Sequence, residues 1–413
     1  MAAWSCLLLT AWGALCTLAA YSRGRRPPQA GALYFILAWP VAEWPLHHLV
    51  LSWLVTAGFS AQGVLDHPAG WAGLVLVAAS SAVLLALHAR MRGAQPALDR
   101  ALQDGLGTHF FDAIRPEHAR RLKVGAPLSA WINPFSLHDR GGVERLRDIA
   151  YGPGGRRQRL DVYRPREPGT GRPVLLQVHG GAWVFGRKDN QGLPLMNEMV
   201  RQGWVCIALN YRLSPKATFP DHLIDCKLAL RWIREHVAEH GGDPAFVAVT
   251  GGSAGGHLAA LVALTANDPR YQPGFEDVDT SVVAAVPFYG AYDFLEHNGV
   301  RVETVRNPGF VGKWVMKSSP RDAPLDWQRA SPIRQVHADA PPFFLLHGTH
   351  DSLVWVENGR RFVQALRAAS RQPVAWAEIP GAQHAFDILQ SMRCVHAVNA
   401  VATFLAWVRS TRA

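Results

Sequence analysis

A serine flanked by glycines lies at Gly251-Gly252-Ser253-Ala254-Gly255, between a predicted strand and a predicted helix. The segment matches the pattern G-x-S-x-G, in which a sharp turn projects the serine hydroxyl and leaves no room for flanking side chains. A glycine-rich turn can also bind phosphate at a helix N-terminus. The chain has no Gly-Lys-Ser or Gly-Lys-Thr of a Walker A loop. The context therefore favours Ser253 as the nucleophile of an acyl-transfer reaction.

Two loops further along the chain carry an acid and a base. Asp351 follows a predicted strand at residues 343–346, and His384 follows a predicted strand at residues 374–378. The order Ser253, Asp351, His384 is that of the α/β-hydrolase arrangement. In such a triad the histidine takes the serine proton and returns it to the leaving group, while the aspartate fixes the imidazole tautomer.

Other acids and histidines compete for these roles. Asp387 and Glu357 are alternative acids. His347 and His350 precede the proposed acid on the same loop, too close in sequence to share a geometry with it, and we expect them to be structural or exposed. His257 lies in the predicted helix after the serine, where a packed side chain is the simpler interpretation.

The segment His179-Gly180-Gly181-Ala182-Trp183 directly follows a predicted strand at residues 174–178. Acyl transfer develops negative charge on the former carbonyl oxygen, so the site needs hydrogen-bond donors aimed at that atom. We predict that the backbone amides of Gly180, Gly181 and Ala254 form this oxyanion hole. We interpret His179 as a structural residue that stabilises its loop by hydrogen bonds, and not as the general base.

Short apolar runs alternate with amphipathic stretches from about residue 143 onward, which is typical of α/β architecture. This pattern predicts a mostly parallel sheet of eight strands flanked by helices. The predicted strands are residues 147–151, 159–163, 174–178, 205–209, 246–250, 282–287, 343–346 and 374–378, and the helices are 194–201, 222–239, 255–266, 356–369 and 396–409. We assign residues 146–413 to one catalytic domain and residues 93–145 to a juxtamembrane linker that can also act as a cap.

Residues 1–92 are predicted to form a transmembrane region of about three helices. Residues 2–21 and 69–87 are uncharged, and each stretch is long enough to cross a hydrocarbon core of about 30 Å. Residues 31–61 are apolar but contain Glu43, His47 and Pro45. A span starting at Pro45 leaves Glu43 at the interface, whereas a longer span would need Glu43 to pair with His47. A cleaved signal peptide is the alternative for the first stretch, but the basic n-region is missing.

Basic residues orient this region. Three arginines (Arg23, Arg25 and Arg26) follow the first stretch, and Arg90 and Arg92 follow the third. Three spans would place both basic groups on one side, which the positive-inside rule makes cytoplasmic. We therefore expect a multi-pass integral membrane protein with a cytoplasmic catalytic domain and the lipid bilayer as a partner.

The net charge of +10 and the five cysteines exclude other classes of protein. The arginines are spread along the chain without a nucleic-acid-binding motif, so we expect no nucleic-acid partner, and a surface near anionic lipid explains the charge. The cysteines are scattered and form no CxxC pair, which argues against a metal or redox site.

The catalytic part resembles the hormone-sensitive-lipase-like group of carboxylesterases and arylesterases. The resemblance spans residues 145–410 and is carried by HGGAW (179–183), NYRLSPKATFPDHLIDC (210–226), GGSAGG (251–256) and the DSLV and QHAF loops. It implies an α/β-hydrolase fold, hydrolysis of carboxylic esters without a cofactor, the triad and oxyanion donors named above, and a structural role for Asp225. One departure is Ala182, where many members have glycine.

The substrate is predicted from the insertion at residues 292–335, which contains Phe294, Phe310, Trp314 and Trp327. Apolar walls near a membrane favour a lipophilic ester with a short to medium acyl chain. An amidase, a formamidase, a peptidase or an acyltransferase on the same scaffold stays open, as does a catalytically inactive membrane interaction module.

Overall fold

The computed structural model describes residues 1–22, 31–123, 125–127, 133, 141–295 and 309–412. An eight-stranded sheet lies at the centre of the C-terminal part. Its strands are β1 Val143–Ala150, β2 Arg159–Pro165, β3 Arg172–Val178, β4 Val205–Leu209, β5 Gly242–Gly252, β6 Ala284–Phe288, β7 Phe343–Gly348 and β8 Val374–Ile379. The order in the sheet is β1-β2-β4-β3-β5-β6-β7-β8.

Helices surround this sheet and form the N-terminal part of the chain. The N-terminal helices are α1 Ala2–Tyr21, α2 Gly31–Glu43, α3 Pro45–Ser60, α4 Pro68–Met91, α5 Ala94–Leu106 and α6 Pro116–Ala119. The later helices are α7 Leu193–Arg201, α8 Asp221–His236, α9 Ala254–Leu264, α10 Pro324–Arg329, α11 Val356–Ala369 and α12 Met392–Arg412. The eight predicted strands and five predicted helices of the catalytic domain are confirmed, with shifts at their ends.

The sheet is mostly parallel. Only the two pairs that involve β2 are antiparallel among the described strands, and the pairs from β4 through β8 are parallel. A parallel sheet is buried on both faces by its crossover helices. Accordingly Val174, Leu176 and Val178 of β3 belong to one apolar core and Leu175 belongs to the other. The carboxyl ends of β3, β5, β7 and β8 therefore meet at one edge, where the candidate residues lie.

The segment predicted as a juxtamembrane linker contributes to this fold. Helix α5 lies within it and buries Ala94, Leu98 and Leu102 in the second core. A Cβ at Gly105 would lie 2.5 Å from the Cα of Ala375 on β8, so glycine is required for this close packing. The sequence also predicts a loop at residues 127–139, which contains Trp131 and Phe135, and almost all of these residues lie outside the described ranges.

The prediction of about three transmembrane helices is wrong. Among the described residues, only α1 and the helical run that begins with α4 are long and apolar enough to cross a membrane. The stretch between them is broken at Trp44 into α2 with 13 residues and α3 with 16. At 1.5 Å per residue, α2 is about 20 Å long, which is less than the hydrocarbon thickness.

Helices α1 and α4 run parallel to each other. Near their N-terminal ends, Cys6 packs in one cluster with Ala69, and near their C-terminal ends, Ala20 packs in another with Leu87. The guanidinium of Arg90 lies 4.7 Å from the ring centroid of Tyr21. The C-terminal ends of both long apolar helices therefore lie side by side.

Candidate active site

Ser253 occupies a strained turn between β5 and α9. Its backbone has φ 58° and ψ −121°, a conformation that non-glycine residues adopt at a cost of about 1–3 kcal/mol. A Cβ at Gly251 would lie 2.5 Å from the carbonyl oxygen of Val178, and one at Gly255 would lie 2.1 Å from the same atom. Glycine is thus needed at positions 251 and 255 because the end of β3 lies so close to the turn, which agrees with the G-x-S-x-G pattern.

Asp351 and His384 are in contact. Nδ1 of His384 lies 2.6 Å from Oδ2 of Asp351, and Oδ1 of the same carboxylate accepts the backbone amides of Leu353 and Val354 at 2.9 and 2.8 Å. Within the described part of the chain, Nε2 of His384 has no hydrogen-bond partner. Because a carboxylate accepts the Nδ1 proton, Nε2 is the ring nitrogen left to act as a base.

The Asp351 carboxyl is ionised in this environment. Burial by itself raises its pKa, but the charge of His384 and hydrogen bonds from His347 and His384 outweigh burial and lower the pKa to about 2. The carboxylate therefore carries its negative charge throughout the neutral pH range and can offset a positive charge on His384.

The prediction that His347 cannot reach Asp351 is wrong. Nε2 of His347 lies 3.2 Å from Oδ2 of Asp351 and 2.7 Å from the carbonyl oxygen of Val354. The loop after β7 turns back on the strand end, so residues four apart in sequence come together. His347 is fully buried, which agrees with a structural role, and His350 is also buried and not exposed.

The alternative acids have other partners. Asp387 accepts a hydrogen bond from the hydroxyl of Tyr289, and Glu357 forms an ion pair with Arg360 at 3.5 Å. The described hydrogen bond of the His384 ring is to Asp351 and not to either of these residues. The geometry thus favours Asp351 as the acid.

The other predicted structural residues are packed. Nδ1 of His257 accepts from Nε1 of Trp183 at 3.2 Å, and Nδ1 of His179 donates to the carbonyl oxygen of Gly180 at 2.7 Å. Burial lowers the pKa of His257 to about 3 and that of His179 to about 4, so both are neutral. The buried carboxylate of Asp225 binds Arg212 and Gln158.

The oxyanion loop differs from the prediction at one residue. The amide of Gly180 donates to Oε1 of Gln191 at 2.6 Å, so it is not available as an oxyanion donor in this structure. The amides of Gly181 and Ala182 have no acceptor within the described ranges, and the amide of Ala254 is one of the unpaired N–H groups at the start of α9. Gly181 and Ala254 stay predicted donors, and the amide of Ala182 is a further candidate donor that the sequence analysis did not name.

Helix α2 is a second feature that the sequence did not reveal at the site. The ring of Phe35 meets the ring of His384 edge to face, with centroids 6.1 Å apart. Nε1 of Trp39 donates to the carbonyl oxygen of Ala385 at 3.1 Å. The apolar pattern of α2 carries no signal for this contact, because its partners lie about 350 residues away in sequence.

Known proteins resemble this chain over half or more of its length. The family model described as BD-FAE matches residues 160–366. The probable carboxylic ester hydrolase LipM of Mycobacterium tuberculosis is 43% identical over 417 residues, which cover 98% of this chain and 94% of LipM. The chain belongs to the hormone-sensitive-lipase-like esterases of the α/β-hydrolase superfamily. Esterase LipQ of the same organism is 44% identical over 326 residues, covering 76% of this esterase and 75% of LipQ.

Solved structures agree with this esterase in fold. A truncated carbohydrate esterase from gut microbiota has a TM-score of 0.53 at 23% identity and covers 63% of this chain and 96% of its own. A bifunctional GH43-CE protein of Bacteroides eggerthii has a TM-score of 0.52 at 25% identity, covering 58% of this chain and 35% of its own. Both likenesses fit the α/β-hydrolase sheet described above.

Proposed function

We propose that this chain is a membrane-anchored serine hydrolase that cleaves lipophilic carboxylic esters through an acyl-enzyme on Ser253. The observation that carries the proposal is the buried contact of 2.6 Å between His384 and Asp351. The strained turn that holds Ser253, at the same edge of the sheet, supports it. Membership of an esterase family supports ester hydrolysis as the reaction class.

The proposed reaction follows from the positions of these groups. Oγ of Ser253 attacks the ester carbonyl while Nε2 of His384 takes the hydroxyl proton, and the amides of Gly181, Ala182 and Ala254 stabilise the oxyanion. The protonated imidazole then gives its proton to the departing alcohol, leaving the acyl group on Ser253. Water repeats the sequence, transferring its proton through His384 and releasing the carboxylic acid.

Two of the four predicted wall residues do not line the substrate site. Phe294 and Trp327 are fully buried in the first core, where Phe294 stacks on His257 with centroids 4.8 Å apart. Phe310 and Trp314 are exposed by 44% and 38%. The preference for a lipophilic ester with a short to medium acyl chain therefore depends on Phe310, Trp314 and the aromatic residues of α2.

Helices α1 and α4 supply the proposed membrane anchor. They expose large apolar side chains, including Leu8 and Trp12 of α1 and Trp71 and Val75 of α4. In the proposed orientation, Arg90 and Arg92 at the C-terminal end of α4 lie on the cytoplasmic side, as the positive-inside rule predicts. A reporter that is active only in the cytoplasm should be active when fused after α12. A reporter that is active only on the opposite side of the membrane should be inactive there, and activity of that reporter would contradict this orientation.

A fluorophosphonate probe tests the nucleophile. Membrane fractions that contain the full chain should label, and labelling should disappear in Ser253→Ala and fall on the order of 10³-fold or more in His384→Ala, because both groups act as one unit. The matched control is Ser319→Ala, which removes a serine hydroxyl bound to Asp322 on the surface and should label normally. A folded wild-type chain that does not label, or a Ser253→Ala variant that still does, would overturn the proposal.

A further inference from the structure

One face of helix α2 lies on the two loops that hold the proposed acid and base, and on the start of α12. The contacts come from residues 31, 35, 39, 42 and 43. These positions repeat every three to four residues, so they lie along one stripe of an α-helix. The contacts thus extend along the whole length of one side of α2.

Both loops are contacted next to their functional residues. The hydroxyl of Ser352, directly after Asp351, donates to the carbonyl oxygen of Gly31 at 3.3 Å. Nε1 of Trp39 donates to the carbonyl oxygen of Ala385, directly after His384, at 3.1 Å. Helix α2 therefore connects the acid loop with the base loop.

Phe35 lies between these two hydrogen bonds. Its ring stands at 83° to the ring of His384, with a centroid separation of 6.1 Å, and it stacks on Trp39 at 5.2 Å. Phe35 is only half-buried, so it presents an apolar surface beside the imidazole.

A buried ion pair fixes the end of the same helix. Oε1 of Glu43 lies 3.1 Å from Nη1 of Arg393, which also donates to the carbonyl oxygen of Ala42 at 2.7 Å. The other carboxylate oxygen of Glu43 accepts from Ser391 at 2.7 Å. Because a buried charge without its partner is costly, this arrangement holds α2 in one position on the catalytic domain.

We propose that Phe35 is a positioning residue for His384 and, as part of the wall formed by α2, a determinant of substrate specificity. The inference rests on the proposed function. An aromatic ring packed edge to face against the imidazole restricts its rotation, and the hydrogen bond to Asp351 uses Nδ1 and not Nε2. Removing Phe35 frees the imidazole to rotate and widens the site on the side of α2.

Steady-state hydrolysis of p-nitrophenyl esters with acyl chains of two to twelve carbons tests this proposal. On the two-carbon ester, Phe35→Ala should lower kcat about 2- to 12-fold, as expected for the loss of one aromatic pair, with KM changed less. Phe35→Tyr keeps the ring and should retain most of the wild-type kcat. The ratio of kcat/KM for long to short esters should rise in Phe35→Ala, because the site is wider.

The matched control is Ile36→Ala, about 100° around α2 from Phe35, where Ile36 is 65% exposed; its kinetics should equal the wild type. Equal kcat and equal chain-length preference in Phe35→Ala and Ile36→Ala would overturn the inference. If Phe35→Ala does not fold, Phe35→Leu is compared with Ile36→Ala in the same way. A wild-type chain that neither labels nor hydrolyses esters refutes the proposed function, whereas an active wild type with unaffected Phe35 variants refutes this inference alone.

Discussion

The Asp351 carboxylate is surrounded by N–H groups on both oxygens. Two backbone amides bind Oδ1, and the imidazoles of His384 and His347 approach Oδ2 at 2.6 and 3.2 Å. His347 also faces the carbonyl oxygen of Val354, so its Nε2 must carry a proton. This set of donors keeps a fully buried carboxylate charged, which the proposed mechanism requires.

Asp351→Asn tests this charge. We expect hydrolysis to fall on the order of 10³- to 10⁴-fold near pH 7, because the amide no longer fixes the tautomer of His384. The folded-state pKa of about 2 lies below the ordinary value of 3.8, so the ionised carboxylate stabilises the fold above about pH 4, by about 2 kcal/mol, and this stabilisation is lost as the pH falls toward 2. Denaturant unfolding in detergent between pH 6 and pH 2.5 measures it.

The stability difference between wild type and Asp351→Asn should therefore shrink as the pH falls. Asp339→Asn is the control, because the Asp339 side chain is 75% exposed, and its effect should stay small at every pH. A constant difference for Asp351→Asn across this range would contradict the assignment of a lowered pKa.

Helix α2 has the apolar composition of a membrane helix, but its side chains contact the loops and helix α12 of the catalytic domain. Its apolar sequence ends at Glu43, whose carboxylate pairs with Arg393 and not with His47 as one interpretation of the sequence required. Pro45 then begins α3, in agreement with the preference of proline for a first turn. The break at Trp44 follows from Pro45, because proline disfavours helical angles at the residue before it, and Trp44 has φ −127° and ψ 52°.

Glu43→Gln should destabilise the protein by about 3–5 kcal/mol, since the charge of Arg393 is then left buried without its partner. The double variant Glu43→Leu with Arg393→Met should recover a large part of that loss, because no buried charge remains. Thermal unfolding of the purified chain in detergent measures both. Asp326→Asn is the control, as its ion pair with Arg329 is exposed and is worth at most about 1 kcal/mol. A Glu43→Gln variant no less stable than Asp326→Asn would refute the coupling.

In the whole molecule, the catalytic edge of the sheet faces the N-terminal helices. Helix α2 contacts the loops after β7 and β8 and also packs on α1 and α4 through Ala38 and Val41. The proposed active site therefore lies next to the C-terminal ends of the two long apolar helices. An ester dissolved in a bilayer would reach such a site with a short path through water.

Charges placed on α1 and α4 test whether these helices form the proposed membrane anchor. The combined variant Leu8→Arg and Val75→Arg puts one arginine on each exposed apolar face, at about 2.5–3.5 kcal/mol per residue on insertion scales, and should reduce the fraction that stays in the membrane pellet after carbonate extraction. Leu325→Arg changes an equally exposed leucine of the catalytic domain and should leave the distribution unchanged. Full retention of the combined variant in the pellet would count against α1 and α4 as the anchor.

The sequence alone determined the features that depend on local pattern and chain order. Period and length located the eight strands, and the order of Ser253, Asp351 and His384 indicated the fold, because each of these residues lies on a turn or loop after a strand. The glycines around Ser253 were also predictable, since a sharp turn excludes a Cβ wherever it occurs.

Only the tertiary structure decided which distant groups meet. Gln191 accepts the hydrogen bond from the amide of Gly180. Phe294 and Trp327 pack in the core, and Arg393 forms an ion pair with Glu43, 350 residues away in sequence. None of these contacts can be predicted from the periodicity of the sequence or from the spacing of its motifs. Each contact depends on how the packed elements are placed in space. For this reason helix α2, whose apolar sequence is typical of a membrane span, instead packs beside the proposed active site.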